Sequence, residues 1–225
     1  MTTTADDIPY FPATAPAELA DAGTAVALIE PVLSQLAGVV ARVTPEALAG
    51  PTPCDRYDVS ALRDHVLGWL QFFSAAFADP ARTRPRPEPD AYRAADDDRD
   101  LADVVRRSST ALTDALRAGG VLDGQVVLSQ SRMDGPAAFG MVLGEYLVHG
   151  WDLAVAVSAP WTPPEQACES ALAFFRGMVL PEYRGGEGGF FGEEVPVPAT
   201  APALERLLGF AGRRSGWPDS SRSDA

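Results

Sequence analysis

The sequence contains only two histidines, and both fall on the inner faces of segments with helical periodicity. His149 follows Glu145 by four residues, so on an α-helix the imidazole and the carboxylate lie on one face. His65 lies on the apolar stripe of an earlier segment. A buried carboxylate is costly unless it gains a proton, an ion-pair partner or a metal ion. Glu145, His149 and His65 therefore indicate a divalent-metal site with positions left for water and substrate.

Two interpretations without a metal account for the same residues. A histidine on an apolar helix face is often a hydrogen-bonded core residue. Glu145 and His149 would also form a plain carboxylate–imidazole pair, in which the pKa of the histidine is raised. The spacing E-x-x-x-H differs from the H-E-x-x-H of zinc metalloproteases. Spacing alone therefore leaves the metal site and the ion pair as alternatives.

Four neighbouring residues are candidates for supporting roles. Asp152, three residues after His149, is placed to accept a hydrogen bond from an imidazole, although a helix cap or a salt bridge with an arginine would explain it equally well. Tyr57, Trp69 and Trp151 are candidates for lining a pocket, with core packing as the alternative.

These residues need helices to position them, and the apolar periodicity predicts five long helical stretches and one short helix. Asp58 is the expected N-cap of the helix that carries His65, and Pro31 is expected to kink or break the first helix. The helical stretches cover residues 15–43, 58–78, 100–120, 136–159, 163–180 and 201–214. Residues 124–133 suggest a short strand or an extended connection.

The predicted architecture is an all-α bundle of four main helices with additional short helices and a short strand. The glycine patterns of Rossmann folds and P-loops are absent from the sequence. Proline and charge predict that residues 79–98 form a solvated, mobile loop. We expect residues 1–14 to be flexible, residues 15–214 to form the bundle, and residues 215–225 to be disordered.

Composition excludes several kinds of partner. The formal net charge is −13, so the surface would repel nucleic acid and anionic membranes. All 18 basic residues are arginine, which excludes lysine catalysis. Arg63 and Arg132 are candidates for binding an anionic substrate. The alternative is that both are solvated surface residues. The two cysteines form no C-x-x-C motif, and neither a basic leader nor an apolar span of membrane length is evident, which predicts a cytoplasmic protein.

Three stretches carry a family resemblance. TPCDRYDVSALRDHVLGWL (52–70), GEYLVHGWDLAVAVSAPWTPP (144–164) and FFGEEVPVPATAPALERLLGFAGRR (190–214) resemble the mycothiol-dependent maleylpyruvate isomerase branch of the DinB-like superfamily. The resemblance extends from about residue 20 to residue 213. It implies an up-down-down-up four-helix bundle in which His65, Glu145 and His149 bind a divalent metal, most often Zn²⁺. The ligand types would also suit Ni²⁺, Mn²⁺ or Fe²⁺.

The resemblance further implies an enzyme that activates a low-molecular-weight thiol, such as mycothiol, for transfer to or isomerisation of a small electrophilic substrate. The isomerase itself has a second, C-terminal domain, whereas this sequence ends after the short helix near Arg214. We therefore expect a thiol reaction of this type in preference to maleylpyruvate isomerisation.

Two other functions remain compatible with the sequence. A metal-dependent hydrolase or lyase would use metal-bound water in place of a thiol. A non-catalytic bundle would bind a metal or a small ligand with a filled coordination sphere. The expected partner is a small-molecule substrate, and a homodimer is the expected assembly.

Overall fold

The computed structural model describes residues 8–95, 100–185 and 190–218. Within these residues the chain forms six α-helices and one short antiparallel β-hairpin. The helices are α1 (Ala22–Val40), α2 (Val59–Ala78), α3 (Leu101–Ala118), α4 (Gly135–Ala156), α5 (Glu165–Met178) and α6 (Ala203–Phe210). The hairpin strands are β1 (Gln125–Val127) and β2 (Arg132–Asp134). The predicted all-α class with a short strand is thus confirmed.

The first four helices form the bundle that positions the candidate site. α1 and α2 each pack against both α3 and α4, so α1 and α2 occupy opposite corners. Tyr57, just before α2, lies beside His149 in the second half of α4, whereas the Pro80 carbonyl, just after α2, accepts a hydrogen bond from Val127 of the hairpin that leads into α4. α2 and α4 therefore run antiparallel.

Aspartate caps fix where the bundle helices begin. The Asp21 side chain accepts a hydrogen bond from the Thr24 amide at 2.7 Å and caps the start of α1. The Asp58 side chain accepts from the Ala61 amide at 2.8 Å and caps the start of α2. Residues before Asp21 form a separate 3₁₀ turn, so α1 is shorter than its predicted span. Pro31 lies inside α1 and does not end it.

The segment after α2 is mostly exposed, as its composition predicted, but it also contacts the bundle. The short 3₁₀ turn Pro89–Ala91 packs back onto α2, and Pro89 is buried there. A Cβ atom on Gly68 of α2 would lie 2.3 Å from the Pro89 carbonyl oxygen, so glycine permits the close approach. Arg86 donates hydrogen bonds to two backbone carbonyls, one of them in β1. Local composition did not reveal these contacts, and the rest of the predicted loop, residues 96–98, lies outside the described residues.

The termini are only partly described. Residues 1–7 and 219–225, which make up much of the segments predicted to be flexible, lie outside the described residues. Within the described part, the Tyr10 hydroxyl donates to Asp134 at 2.9 Å, and the Phe11 amide donates to the carbonyl of Arg132. Flexibility of the termini stays a prediction.

α1 is apolar and long enough, by length and composition alone, to cross a membrane. The expectation that no such span exists is therefore wrong for this helix. Its buried residues, including Ile29 and Leu36, belong to the bundle core, and α1 packs against both α3 and α4. The high hydropathy of α1 thus accords with a core helix, and a cytoplasmic location stays a prediction.

Three glycines of α4 allow aromatic rings to pack directly on the helix backbone. A Cβ atom would lie 2.2 Å from the ring of Phe175 if built on Gly144, and 2.3 Å from the ring of Trp161 if built on Gly150. Gly140 likewise faces a ring of α5. This close packing holds α4, which carries Glu145 and His149, at a fixed position against α5.

We expect Gly144→Ala to destabilise the fold by about 1–3 kcal/mol, because the added methyl group overpacks the contact with Phe175. The matched control is Gly38→Ala in α1, where nothing lies within 4 Å of the added atom. That control should stabilise the protein by roughly 0.5–1 kcal/mol through helix propensity. Urea unfolding monitored by circular dichroism measures both changes, and equal stabilities for the two variants would contradict the packing argument.

Candidate metal centre

Three side chains converge between α2 and α4. His65 lies in the second turn of α2, and Glu145 and His149 lie one turn apart on α4. The His65 Nε2 atom is 2.9 Å from Glu145 Oε1, and the His149 Nε2 atom is 3.8 Å from the same oxygen. One ligand atom from each residue lies within 4.8 Å of the other two. Ligand atoms on one zinc ion at about 2.0–2.2 Å lie roughly 3–3.5 Å apart, so small side-chain movements would close this set around a cation.

A carboxylate holds the far side of the His149 ring. The Nδ1 atom of His149 is 2.9 Å from Asp152 Oδ2, and the Asp152 side chain is fully buried. An ionised carboxylate only accepts hydrogen bonds, so Nδ1 carries a hydrogen and donates it to Asp152, and Nε2 faces Glu145. Asp152 also pairs with an arginine, Arg213, at 2.9 Å. Two of the three contacts that the sequence offered for Asp152, with an imidazole and with an arginine, are therefore present together, whereas Asp152 lies inside α4 and does not cap a helix.

The His65 ring is held in a similar way by Tyr57. The Tyr57 hydroxyl oxygen is 3.2 Å from His65 Nδ1, and the two rings stack with centroids 4.8 Å apart. The Tyr57 ring also meets His149 edge-on at 6.2 Å. Tyr57 thus fixes the orientation of one imidazole and contacts the other. Each histidine directs Nε2 inward and uses Nδ1 for a supporting contact, which is the usual arrangement around a metal.

Charge within the cluster keeps Glu145 ionised. Burial opposes ionisation, but the neighbouring His149 charge and the hydrogen bond with His65 outweigh it and hold the pKa of Glu145 at about 2. For His149 burial acts to lower the pKa, whereas Glu145 and then Asp152 raise it, and the net effect is a raised pKa. Without a cation, the ionised Glu145 carboxylate therefore favours the protonated form of His149.

The three aromatic candidates occupy different positions. Trp69 lies one helical turn after His65, and its ring centroid is 6.1 Å from that imidazole. With Tyr57 it forms an aromatic flank of the cluster. Trp151 belongs to the buried hydrophobic core. The structure therefore brings Tyr57 and Trp69 to the cluster and places Trp151 in the packing around it.

The two arginine candidates do not join the cluster. Arg63 lies two residues before His65 on α2, is 2% exposed, and pairs with the adjacent Asp64 at 3.0 Å. Its alternative assignment as solvated surface is therefore wrong. Arg132 lies in β2 and donates to a side-chain oxygen in β1 at 3.0 Å. Arg132 precedes the start of α4. Glu145 lies about 15 Å along the helix from that start.

Two residues near the cluster were missed by sequence reasoning. Arg213, in the turn after α6, pairs with Asp152 across 61 residues of chain, and no periodic signal marks it. The Cys54 sulfur lies within 4.8 Å of ligand atoms of His149 and Asp152. Cys54 stands in the quoted stretch 52–70, but its spacing matched no metal motif. Burial raises the pKa of the Cys54 thiol.

Comparison with known proteins gives one family match. The model of the mycothiol maleylpyruvate isomerase N-terminal domain matches residues 29–154, more than half of the chain and a span that includes His65, Glu145 and His149. Two uncharacterised proteins from two strains of Mycobacterium tuberculosis are each 28% identical over 177 residues, covering 79% of this chain and 91% of the relative. No solved structure matches.

Proposed function

Because the chain belongs to the mycothiol maleylpyruvate isomerase N-terminal domain family, we propose that it is a divalent-metal-dependent enzyme. In this proposal it activates a low-molecular-weight thiol, with mycothiol as the first candidate, for transfer to or isomerisation of a small electrophilic substrate. The observation that carries the proposal is the convergence of His65 Nε2, Glu145 Oε1 and His149 Nε2, with both Nδ1 atoms engaged elsewhere.

The donor set fits a metal ion of the first transition row. Two imidazole nitrogens and one carboxylate oxygen suit Zn²⁺ best, and Ni²⁺, Mn²⁺ or Fe²⁺ are the other candidates. His65, Glu145 and His149 would hold the cation, and Tyr57 and Asp152 would hold the imidazole rings. When bound, the cation would supply positive charge that favours a thiolate over a thiol.

Access to the cluster supports a catalytic role. The side chains of His65, Glu145 and His149 are 17%, 24% and 14% exposed, so all three are in contact with solvent. Three protein ligands also leave a coordination position for an exogenous group, which is typical of catalytic sites and not of structural ones. Tyr57 and Trp69 would flank a substrate at that position.

The chain's own nucleophiles support the use of an external thiol. The sequence contains no lysine, and its two cysteines are both buried. Burial raises the pKa of the Cys54 thiol and raises that of Cys168 to about 12. Neither is a ready thiolate near neutral pH. A nucleophile supplied by a co-substrate is therefore the simplest complement to this centre.

The test is the thiol dependence of turnover. Zinc-loaded protein with 1-chloro-2,4-dinitrobenzene as the electrophile should accelerate dinitrophenyl thioether formation with mycothiol, saturably and above the rate of thiol with free zinc. The His149→Ala variant, which lacks one proposed ligand, should show only the background rate. Consumption of electrophiles or esters at an unchanged rate without any thiol would contradict the proposal and indicate activation of water. Full zinc occupancy with no turnover across electrophile classes would indicate a binding protein.

A further inference from the structure

We propose that Arg213 is a positioning residue of the metal centre, which acts on His149 through Asp152. The segment that carries Arg213 follows α6 and lies outside the residues matched by the family model. The inference rests on the proposed function only in that the centre binds a cation. It adds that the centre is incomplete without this C-terminal turn.

The turn after α6 directs Arg213 into the protein. α6 ends at Phe210, and Gly212 adopts a left-handed conformation with φ of +83°. The Arg213 amide then donates to the Leu208 carbonyl at 2.8 Å. A Cβ atom on Gly212 would lie 2.6 Å from the Cα atom of Gly192, so another residue there would disturb the turn. The Arg213 side chain consequently reverses toward the bundle and is nearly buried.

The guanidinium group of Arg213 holds both oxygens of Asp152. Its Nε atom donates to Oδ1 at 3.2 Å, and its Nη2 atom donates to Oδ2 at 2.9 Å. A third hydrogen bond, from Nη1 to the Ala211 carbonyl at 2.9 Å, anchors the guanidinium to its own turn. A carboxylate that accepts a hydrogen bond at each of its oxygens cannot rotate freely. The orientation of Asp152 is therefore set by Arg213.

The orientation of Asp152 in turn sets the ring of His149. The same Oδ2 atom that accepts from Arg213 also contacts His149 Nδ1 at 2.9 Å. Without Arg213, Asp152 would be a fully buried carboxylate that keeps its hydrogen bond with the His149 imidazole but loses its ion pair. Such a carboxylate gains by rotating, by binding a proton or by admitting water. Each response would loosen the His149 ring and change which nitrogen carries its hydrogen.

The experiment compares Arg213→Gln with Arg214→Gln, because Arg214 is the adjacent, exposed arginine. Competition with a chromophoric chelator measures the zinc dissociation constant of each variant. We expect the zinc dissociation constant to rise by about tenfold or more for Arg213→Gln and to stay at the wild-type value for Arg214→Gln. Asp152→Asn should weaken binding similarly. The double variant Arg213→Gln/Asp152→Asn should bind no more weakly than Asp152→Asn alone, because the arginine acts through the aspartate.

A second readout does not depend on zinc. Nitrogen-15 NMR of the His149 ring, recorded in metal-free protein at a pH where the ring is neutral, should show hydrogen on Nδ1 in the wild type and in Arg214→Gln. Arg213→Gln should show a mixture of the two tautomers. Should Arg213→Gln fail to fold by circular dichroism, Arg213→Lys replaces it. Lysine keeps the charge but cannot hold both oxygens, so intermediate zinc affinity is expected.

The outcomes separate the two proposals. If wild-type protein binds no zinc but the His149 tautomer still depends on Arg213, the proposed function fails and the positioning role stands. If zinc binds and neither its affinity nor the tautomer responds to Arg213 variants, the positioning role is overturned and the proposed function stands. Additive losses in the double variant would also overturn it, since they would mean that Arg213 acts independently of Asp152.

Discussion

Replacement of Glu145 by alanine is expected to lower the affinity for zinc by about 100-fold or more. Loss of a residue that only supports a metal ligand commonly costs 10–100-fold, and loss of a ligand should cost at least the upper end of that range. Glu145 Oε1 lies 2.9 Å from His65 Nε2 and 3.8 Å from His149 Nε2, and Glu145 supplies the only negative charge among the three proposed ligands. Alanine at His65 or His149 should have a similar effect, and thiol-dependent turnover should disappear with the metal.

Metal content by elemental analysis, together with chelator competition, measures this loss in purified protein. Glu182→Ala is the matched control, because Glu182 is an exposed glutamate in the short 3₁₀ helix after α5. It should bind zinc as the wild type does. Circular dichroism must show that each variant keeps its helices. Retention of zinc at wild-type stoichiometry by all three ligand variants would mean that the cluster is an ion pair and that the metal lies elsewhere.

The second large effect is expected with pH, because protons and the cation compete for His149. Burial acts to lower the pKa of His149, but Glu145 and Asp152 raise it by more. The net result is a pKa above the usual 6.5. A metal ligand must be neutral imidazole. Apparent zinc affinity should therefore fall as pH falls through the raised pKa, by about tenfold per pH unit below it.

The same shifts determine the stability of the metal-free protein. A raised histidine pKa contributes stability that is fully present below 6.5 and is lost as pH rises through the folded-state pKa of His149. The pKa of Glu145, lowered from 4.5 to about 2, contributes stability that is present above 4.5 and is lost as pH falls through about 2. Both contributions are therefore complete between pH 4.5 and 6.5. Metal-free protein should be less stable at pH 9 than at pH 6.

Thermal unfolding from pH 5 to 9 with excess chelator measures this dependence. Glu145→Gln is the informative comparison, because it removes the strongest of the interactions that raise the pKa of His149. Its melting temperature should change less over the alkaline range than that of the wild type. Identical profiles for the two proteins would show that Glu145 and His149 are not coupled in the folded state.

The sequence was informative where a short-range rule connects residues to geometry. Helical spacing placed Glu145 and His149 on one face, and their polarity within an apolar stripe marked them as unusual. His65 could be added because it interrupts the apolar stripe of a second helix in the same way. The bundle then needed only to bring α2 and α4 together, which the packing of both helices into the core accomplishes.

The remainder depended on contacts that no local rule specifies. Arg213 reaches Asp152 only because of the turn at Gly212, and Arg213 itself stands outside any periodic pattern. Tyr57 contacts His65 from the residues ahead of α2, where side-chain direction is set by the loop and not by helical spacing. The second hairpin strand was missed because three-residue strands carry little pattern of their own.

α4 presents metal-ligand candidates on one face and ring-contacting glycines on another, and this has a consequence for molecular evolution. A mutation that adds bulk at Gly140, Gly144 or Gly150 would push against α5 or Trp161 and displace the helix that carries Glu145 and His149. Selection for the site should therefore act on both faces together. Homologues that have lost the ligands would be free to accumulate larger residues at the glycine positions if their helix spacing also relaxes. The combined pattern G-x-x-x-G-E-x-x-x-H-G should accordingly separate site-bearing homologues from degenerate ones better than E-x-x-x-H alone.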